Sequence, residues 1–330
     1  MEPALIYLNY FVDPKRRNRH YRDLLAHLDT TKYVITDALS AGDEPRVRII
    51  INKTRELSAN TLKAFPRLQG ICLNTTDRWM LTFDDKNSDI TVQSVKTDRG
   101  TDVAEVAVLL MLKGLKTLTR RSRWHAFRSP TRLYRQIAAP LASETAGAHN
   151  WTGTATLTAY RKKVGIIGYG LIGHQIQQRL KAFGAEVFYN HSTRFSALIE
   201  KRLNIHFLER EELFQTCDIV FVQLPLTAST AGLITTKELS VAQSHLVLIN
   251  CGRAAVINKA ALSAALRAQQ ITFYGADVFW REPMPLWDPF RVMRNVCITP
   301  HLSESVTDRI PHDRVVAETL EQLVRTLDAS

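Results

Sequence analysis

Three segments of this chain end apolar, strand-like runs on residues able to hold an acid or move a proton: LINCGR ends on Arg253, GADVFWREP carries Glu282, and ITPH ends on His301. An arginine offers a planar fork of donors to a carboxylate. An imidazole can give up a proton near neutrality, and a carboxylate beside it orients the ring and favours its charged form. Taken singly, an arginine at a strand end is usually a surface charge and a lone histidine is usually structural. At the ends of three strands of one sheet, the three together describe proton-coupled chemistry on a small anion. A fourth segment, VGIIGYGLIG, sets Gly168, Gly170 and Gly173 after an apolar strand and at the start of a helix bearing Ile172, Ile176, Leu180 and Phe183. Gly168 allows a tight turn, Gly170 lets the backbone approach a pyrophosphate, and Gly173 lets helix and strand pack closely, while the helix N-terminus offers amides to the anion.

The elements that must position these groups follow from hydrophobic spacing. After Arg161, strand-like runs fall at 164–167, 187–189, 219–223, 246–249, 273–277 and 296–299, with amphipathic helical stretches between most of them. Six such strands predict a doubly wound parallel sheet, whose ligands lie beyond the carboxyl ends of the strands. A first βα series precedes it, with strands at 5–8, 47–51 and 68–73. Tyr21, Leu24, Leu25 and Leu28 lie at helical spacing, and Ser58 is placed to cap a helix carrying Leu62 and Phe65. A long helix is expected over 102–118, from Val103, Val106, Ala107, Leu110 and Leu115. The stretch 119–150 interleaves Arg120, Arg121, Arg123, Arg128, Arg132 and Arg135 with Trp124, Phe127 and Tyr134, and reads as an arm or loop.

At 330 residues the chain is longer than one hydrophobic core usually organises, so two domains are expected. Hydrophobic residues at 45% and charged residues at 23% exclude disordered and fibrous classes. No apolar run approaches the roughly 18 residues needed to cross a bilayer, and the start MEPALIYLNYFVDPKRR has no basic region ahead of a continuous apolar stretch. A cytoplasmic location without a membrane partner is the expectation. Cys72, Cys217, Cys251 and Cys297 form no paired spacing, so reduced thiols and no metal site are expected. The balance of 43 basic against 32 acidic residues favours anionic ligands, nucleic acid or an acidic membrane surface, and charge alone does not choose among them.

Taken in order, VAE at 103–105, KKVGIIGYGLIG, CDIVFVQLPLTAST, LINCGR, DVFWREPMPLW and NVCITPH resemble the D-isomer-specific 2-hydroxyacid dehydrogenase family, over roughly residues 45–325. That family includes glyoxylate/hydroxypyruvate reductases, phosphoglycerate dehydrogenase and phosphite dehydrogenase. The resemblance implies an α/β architecture in which a Rossmann cofactor domain, residues 100–301, is inserted in a flavodoxin-like substrate domain, residues 1–99 with 302–330. It implies hydride exchange between NAD(P)H and a small anionic 2-oxo or 2-hydroxy acid. Arg253 would grip the carboxylate and oxo group, His301 would donate the proton, and Glu282 would orient His301. The cofactor contacts would include Tyr169, Leu171 and Ile172 in the glycine turn, Leu224 and Pro225, Cys251 and Gly252, and Asp277 near the nicotinamide carboxamide. The family also pairs through its cofactor domain, so a homodimer using the 102–118 helix and the arm is expected, in preference to a nucleic-acid surface.

Three departures stand out. The family's Gly-x-Gly-x-Asp turn corresponds to LNTTD at 73–77, without glycines, so Asn74, Thr75 and Thr76 would offer side-chain bonds to substrate instead. Ala254 replaces the usual glycine, and Asn258 stands where an acid is common. Relatives with this fold also act as dinucleotide-sensing corepressors or scaffolds, the alternative to an enzyme. For the cofactor, NAD sites usually place an acid about 20 residues beyond the glycine turn, to bond the ribose hydroxyls and repel a 2′-phosphate. Here Asn190 is neutral, and His191, Ser192, Thr193 and Arg194 supply donors and a cation. NADP is therefore expected over NAD.

Overall fold

The computed structural model describes residues 3–9, 21–24, 28–52, 55–73, 78–83, 89–95, 100–116, 157–304 and 312–329. They divide into two compact units. The first comprises Met1–Asp102, Thr193–Ile205 and Val306–Ser330, and the second Val103–Ser192 and His206–Ser305. Among the described residues no helix is long and apolar enough to cross a membrane.

The first unit holds a five-stranded sheet of order β2-β1-β3-β4-β5, built from β1 (Ala4–Asn9), β2 (Tyr33–Thr36), β3 (Val47–Asn52), β4 (Gly70–Leu73) and β5 (Thr91–Ser94). All its strand pairs are parallel. The central strands VRIIIN and GICL are almost wholly buried, as a sheet covered on both faces requires. Ser58 caps α1 (Ala59–Leu62) by accepting from Thr61 N, as its position after the strand predicts. The last helix of the chain, labelled α8 (His312–Ala329), sets Val316, Leu320, Leu323 and Val324 in one buried cluster with Ile6, Leu8, Ile49, Ile51 and Cys72. The expected strands do not include β2 and β5, although β2, YVIT, is wholly β-branched and aromatic. Both are four-residue edge strands, and β5, with sequence TVQS, is only half-buried, so its apolar alternation is weak.

The second unit opens with α2 (Thr101–Leu115), on which Ala107, Leu110, Met111 and Gly114 are buried. Gly114 is necessary there because a Cβ would lie 2.5 Å from the Phe273 ring. The sheet has seven strands, one more than the sequence predicts, in the order β12-β11-β10-β9-β6-β7-β8. They are β6 (Lys163–Ile167), β7 (Glu186–Asn190), β8 (Ile205–Phe207), β9 (Ile219–Val222), β10 (Val247–Asn250), β11 (Phe273–Ala276) and β12 (Val296–Ile298). The extra strand, β8, is a three-residue edge too short to show a period. Strand order reverses between β6 and β9, whose parallel register pairs Val164 with Ile219 and Ile167 with Val222. In an open parallel sheet the ligand crevice lies at the carboxyl ends of such a pair.

At the opposite, amino-terminal edge one carboxylate ties three strands together. Asp218, just before β9, accepts from Lys162 Nζ at 2.9 Å, from Lys163 N at 2.9 Å and from His245 Nε2 at 2.7 Å. Burial raises the Asp218 pKa, but the bonds from Lys162, Lys163 and His245 outweigh it and hold the carboxyl below its ordinary value. A depressed folded pKa stabilises the protein above the unfolded value, and that contribution is lost as pH falls through the folded one. Asp218→Asn should therefore lower the thermal midpoint at pH 7, by roughly 2–4 °C for each kcal/mol lost. The gap from the parent should close as acid protonates Asp218. A gap in calorimetric midpoints that stays constant from neutral pH into the acid range would refute the assignment.

Candidate active site

The glycine turn begins where β6 ends. Gly168 has φ +92°, the left-handed region that favours glycine, and a Cβ there would lie 2.6 Å from the Gln223 carbonyl oxygen at the end of β9. A Cβ at Gly173 would lie 2.9 Å from Gly168 O, so this glycine lets α3 (Leu171–Ala182) pack against the turn. Gly170 caps α3 with no side-chain bond, and a Cβ there would meet nothing within 4 Å. The start of the helix is thus open on the side from which its first amides are reached, a cradle that fits a pyrophosphate. Gly252 belongs to the same crowding, since a Cβ there would lie 2.7 Å from Leu224 O. Leu171 and Ile172 are half-buried on the first turn of α3, as is Leu224, whereas Pro225 is exposed. Tyr169 turns its ring inward, fully buried and edge-on to Tyr189 at 5.6 Å, so from this residue a ligand is offered backbone only. Cys251 is buried too, and burial pushes its thiol pKa up, which makes it a packing residue and not a nucleophile.

The second cluster is built around Asp277, which follows β11 and has no exposed surface. Its carboxylate accepts from Leu302 N at 2.8 Å, Ser303 N at 3.0 Å, Ser303 Oγ at 2.5 Å and the Thr299 hydroxyl. All four donors lie on the segment that leaves β12, so Asp277 clasps the turn containing His301. The His301 backbone is left-handed, with φ +57°. For a residue with a side chain that conformation costs about 1 kcal/mol and persists only where neighbouring bonds over-determine it. Asp277 supplies those bonds. The resemblance places Asp277 near the cofactor, and no local sequence signal marks Thr299, Leu302 or Ser303 as its partners. The adjacency of two parallel strands, with Gly275 opposite Cys297 and Ala276 opposite Ile298, is the signal that links them.

His301 Nδ1 lies 2.9 Å from Glu282 Oε2, and the other carboxylate oxygen, Oε1, accepts from Phe279 N at 2.7 Å. An ionised carboxylate only accepts, so Nδ1 carries the proton of this bond. Burial raises the Glu282 pKa, but the bonds from His301 and Phe279 and the charges of His301 and Arg253 prevail and hold it below the usual carboxylate value. Arg253 is exposed just beyond β10, with Nη1 donating to Gly252 O at 2.8 Å. Glu282 and His301 also line a cavity of about 780 Å³, with Met284, Phe290, Val296 and Ile298 among its apolar walls.

Asn190 ends β7, and its side-chain amide donates to Leu208 O at 2.9 Å. His191 Nδ1 lies 3.5 Å from Ser192 Oγ. Arg194 makes a two-pronged pair with Glu200, Nε to Oε1 at 2.9 Å and Nη2 to Oε2 at 3.0 Å. Asn74, Thr75 and Thr76 lie outside the described residues, as does the Arg-rich arm over 119–150. Among the described residues no group of three or more potential metal ligands occurs.

Residues 131–303 match the family described as D-isomer specific 2-hydroxyacid dehydrogenase, NAD binding domain. The chain is similar to a glyoxylate reductase of Aeropyrum pernix, 35% identical over 160 residues, 48% of this chain and 48% of that protein. It thus spans about half the length of that relative. It is also similar to glyoxylate/hydroxypyruvate reductase B of Pectobacterium atrosepticum, 29% identical over 99% of this chain and 95% of the relative. Among solved structures, a protein from Pyrococcus horikoshii OT3 shares the fold, with a TM-score of 0.54, 23% identity, and coverage of 99% of this chain and 92% of that one.

Replacing Asp277 with Asn removes the ionic acceptor at the turn. Charge-assisted bonds contribute about 1.5–3 kcal/mol each. Amide exchange at Leu302 and Ser303 should therefore accelerate by on the order of 10- to 100-fold in Asp277→Asn, while the amides of α3 are unaffected. Unchanged protection at both amides, measured by hydrogen exchange, would show that the turn is held by something else.

Proposed function

This chain belongs to the D-isomer specific 2-hydroxyacid dehydrogenase family, and from that premise we propose that it reduces a small anionic 2-oxo acid to the 2-hydroxy acid with a nicotinamide dinucleotide. The observation that carries the reading is the 2.9 Å bond between His301 and Glu282, with the Arg253 charge acting on the same carboxylate. Reduction delivers a hydride to the carbonyl carbon and a proton to its oxygen; the C=O π bond breaks as C–H and O–H bonds form. The dinucleotide, when bound, supplies the hydride. Arg253 holds the carboxylate of the acid through paired N–H donors. Glu282 engages Nδ1, which leaves Nε2 of His301 to give its proton to the forming alkoxide. Glu282, held below the usual carboxylate value, keeps accepting the Nδ1–H while Nε2 gives up its proton.

His301→Ala should lower kcat by on the order of 10²- to 10⁴-fold and spare dinucleotide affinity, because the proton donor is lost while the glycine turn is untouched. Arg253→Lys should act chiefly on use of the acid, since a point charge does not reproduce two directed bonds. Nicotinamide oxidation with glyoxylate, hydroxypyruvate, phenylpyruvate, 2-oxoglutarate and phosphonopyruvate tests the class. Near-normal turnover by His301→Ala would falsify the proton-donor role.

The same reading extends to the cofactor, with NADPH preferred. Its support is the neutral Asn190 at the end of β7, where an acid would repel a 2′-phosphate, followed by the cation of Arg194. Glu200 already neutralises part of that cation, so the preference should be modest, within about tenfold. Arg194→Ala should erase it by raising KM for NADPH and leaving KM for NADH alone. Equal catalytic efficiency with both cofactors, unaffected by Arg194→Ala, would overturn the preference.

A further inference from the structure

The segment that presents Glu282 is anchored away from the groups that handle the proton. Lys259 is the first residue of α7 (Lys259–Arg267), a place where the helix dipole disfavours a cation. The helix is capped independently, by Asn258 Oδ1 accepting from Ala261 N at 3.0 Å. Lys259 is instead occupied with the loop beyond β11. Its Nζ lies 4.9 Å from the ring centre of Phe279, 5.7 Å from that of Trp280 and 5.8 Å from that of Phe290. The same atom lies 2.5 Å from Oδ2 of Asp288, whose side chain is 6% exposed. Three rings, which also pack on one another, and one buried carboxylate thus lie against a single ammonium whose side chain is 40% exposed.

Two further bonds make this cage relevant to the site. Phe279, under the ammonium, is also the residue whose N–H holds Oε1 of Glu282 and so directs Oε2 to His301. Trp280 Nε1 donates to Ile257 O at 3.0 Å, and Ile257 ends the short 3-10 turn Ala254–Val256 that follows Arg253, two residues before Lys259. One cluster therefore fastens the segment of Arg253 to the segment of Glu282. We propose that Lys259 is a positioning residue: acting through Phe279 it sets the direction of the Glu282 carboxylate, and so the ring of His301, relative to the segment of Arg253. The catalytic consequence rests on the reductase reading above.

The test uses the full chain with Lys259→Met, which keeps the aliphatic bulk and removes the charge, and Lys259→Arg, which keeps the charge. Each is made in the parent and in a Glu282→Gln background. Lys259→Met should lower kcat about tenfold with KM for the dinucleotide unchanged, as a small misplacement of a reacting group does. Lys259→Arg should recover most of that loss. In the Glu282→Gln background, Lys259→Met should cause no further fall, because both changes act through one carboxylate. Carbon-13 titration of the Glu282 carboxyl gives a readout free of activity: its low midpoint should rise toward the ordinary value in Lys259→Met as the Phe279 and His301 bonds loosen. An equal kcat loss with and without Glu282, or an unmoved Glu282 midpoint, overturns the proposal. Absence of turnover with every 2-oxo acid in the parent protein would count against the reductase reading alone, and the carboxyl titration would still decide the role of Lys259. If Lys259→Met does not fold, Asp288→Asn carries the same expectations in both backgrounds.

Discussion

A carboxylate with no exposed surface must find donors for both its oxygens, because burying an ionised group without partners costs several kcal/mol. Asp277 meets that demand with four donors from the segment leaving β12. Satisfying this one charge fixes much else. It fastens the loop beyond β12 to the end of β11, holds His301 in a left-handed backbone, and thereby aims the imidazole at Glu282. The donors lie within five residues of one another, so the bonds reinforce each other as a network, and freeing one would leave a buried charge under-satisfied.

The glycine turn solves a different problem with the same economy of space. At the point where strand order reverses, the ends of β6, β9 and β10 come so close that no side chain fits at Gly168 or Gly252. Crowding from within and openness at Gly170 are two sides of one geometry. The backbone is pressed together where strands diverge, and the first turn of α3 is left reachable. A pyrophosphate fits such a place by amides and helix dipole, with no need for a cationic side chain.

The groups proposed to handle the proton are held by layers of support that differ in kind. Glu282 is positioned by a backbone amide, His301 by a buried carboxylate, and the loop between them by an ammonium set among aromatic rings. Each support lies on a neighbouring strand end or helix start, so the sheet places these groups side by side although they are far apart along the chain. The exposed Arg253 is the exception, with one recorded bond to its own preceding carbonyl. The proposed role of Arg253, to grip and release an exchanging acid, suits that lighter restraint.

Much of this was legible in the residues alone. The apolar runs ending at Ile167, Val222, Asn250 and Ala276 marked buried parallel strands, because strands covered on both faces must be continuously apolar. Gly168 and Gly173 declared the turn because a side chain at either would strike backbone, and Gly168 also takes a positive φ, while Gly170 stands in open space at the helix start. Arg253, Glu282 and His301 stood out only as a set in sequence order, and of these the structure brings Glu282 and His301 to 2.9 Å of each other. The edge strands β5 and β8 were not legible, since a half-buried TVQS and a three-residue IHF carry too little apolar pattern. Nor were the bonds of Asp277 to the 299–303 segment or of Lys259 to Phe279 and Asp288, whose partners lie some 20 to 30 residues away. Local composition determines which segments become strands and turns, because burial and backbone freedom act residue by residue. Which charge meets which donor was decided only by tertiary structure, because that depends on which strand ends the sheet brings side by side.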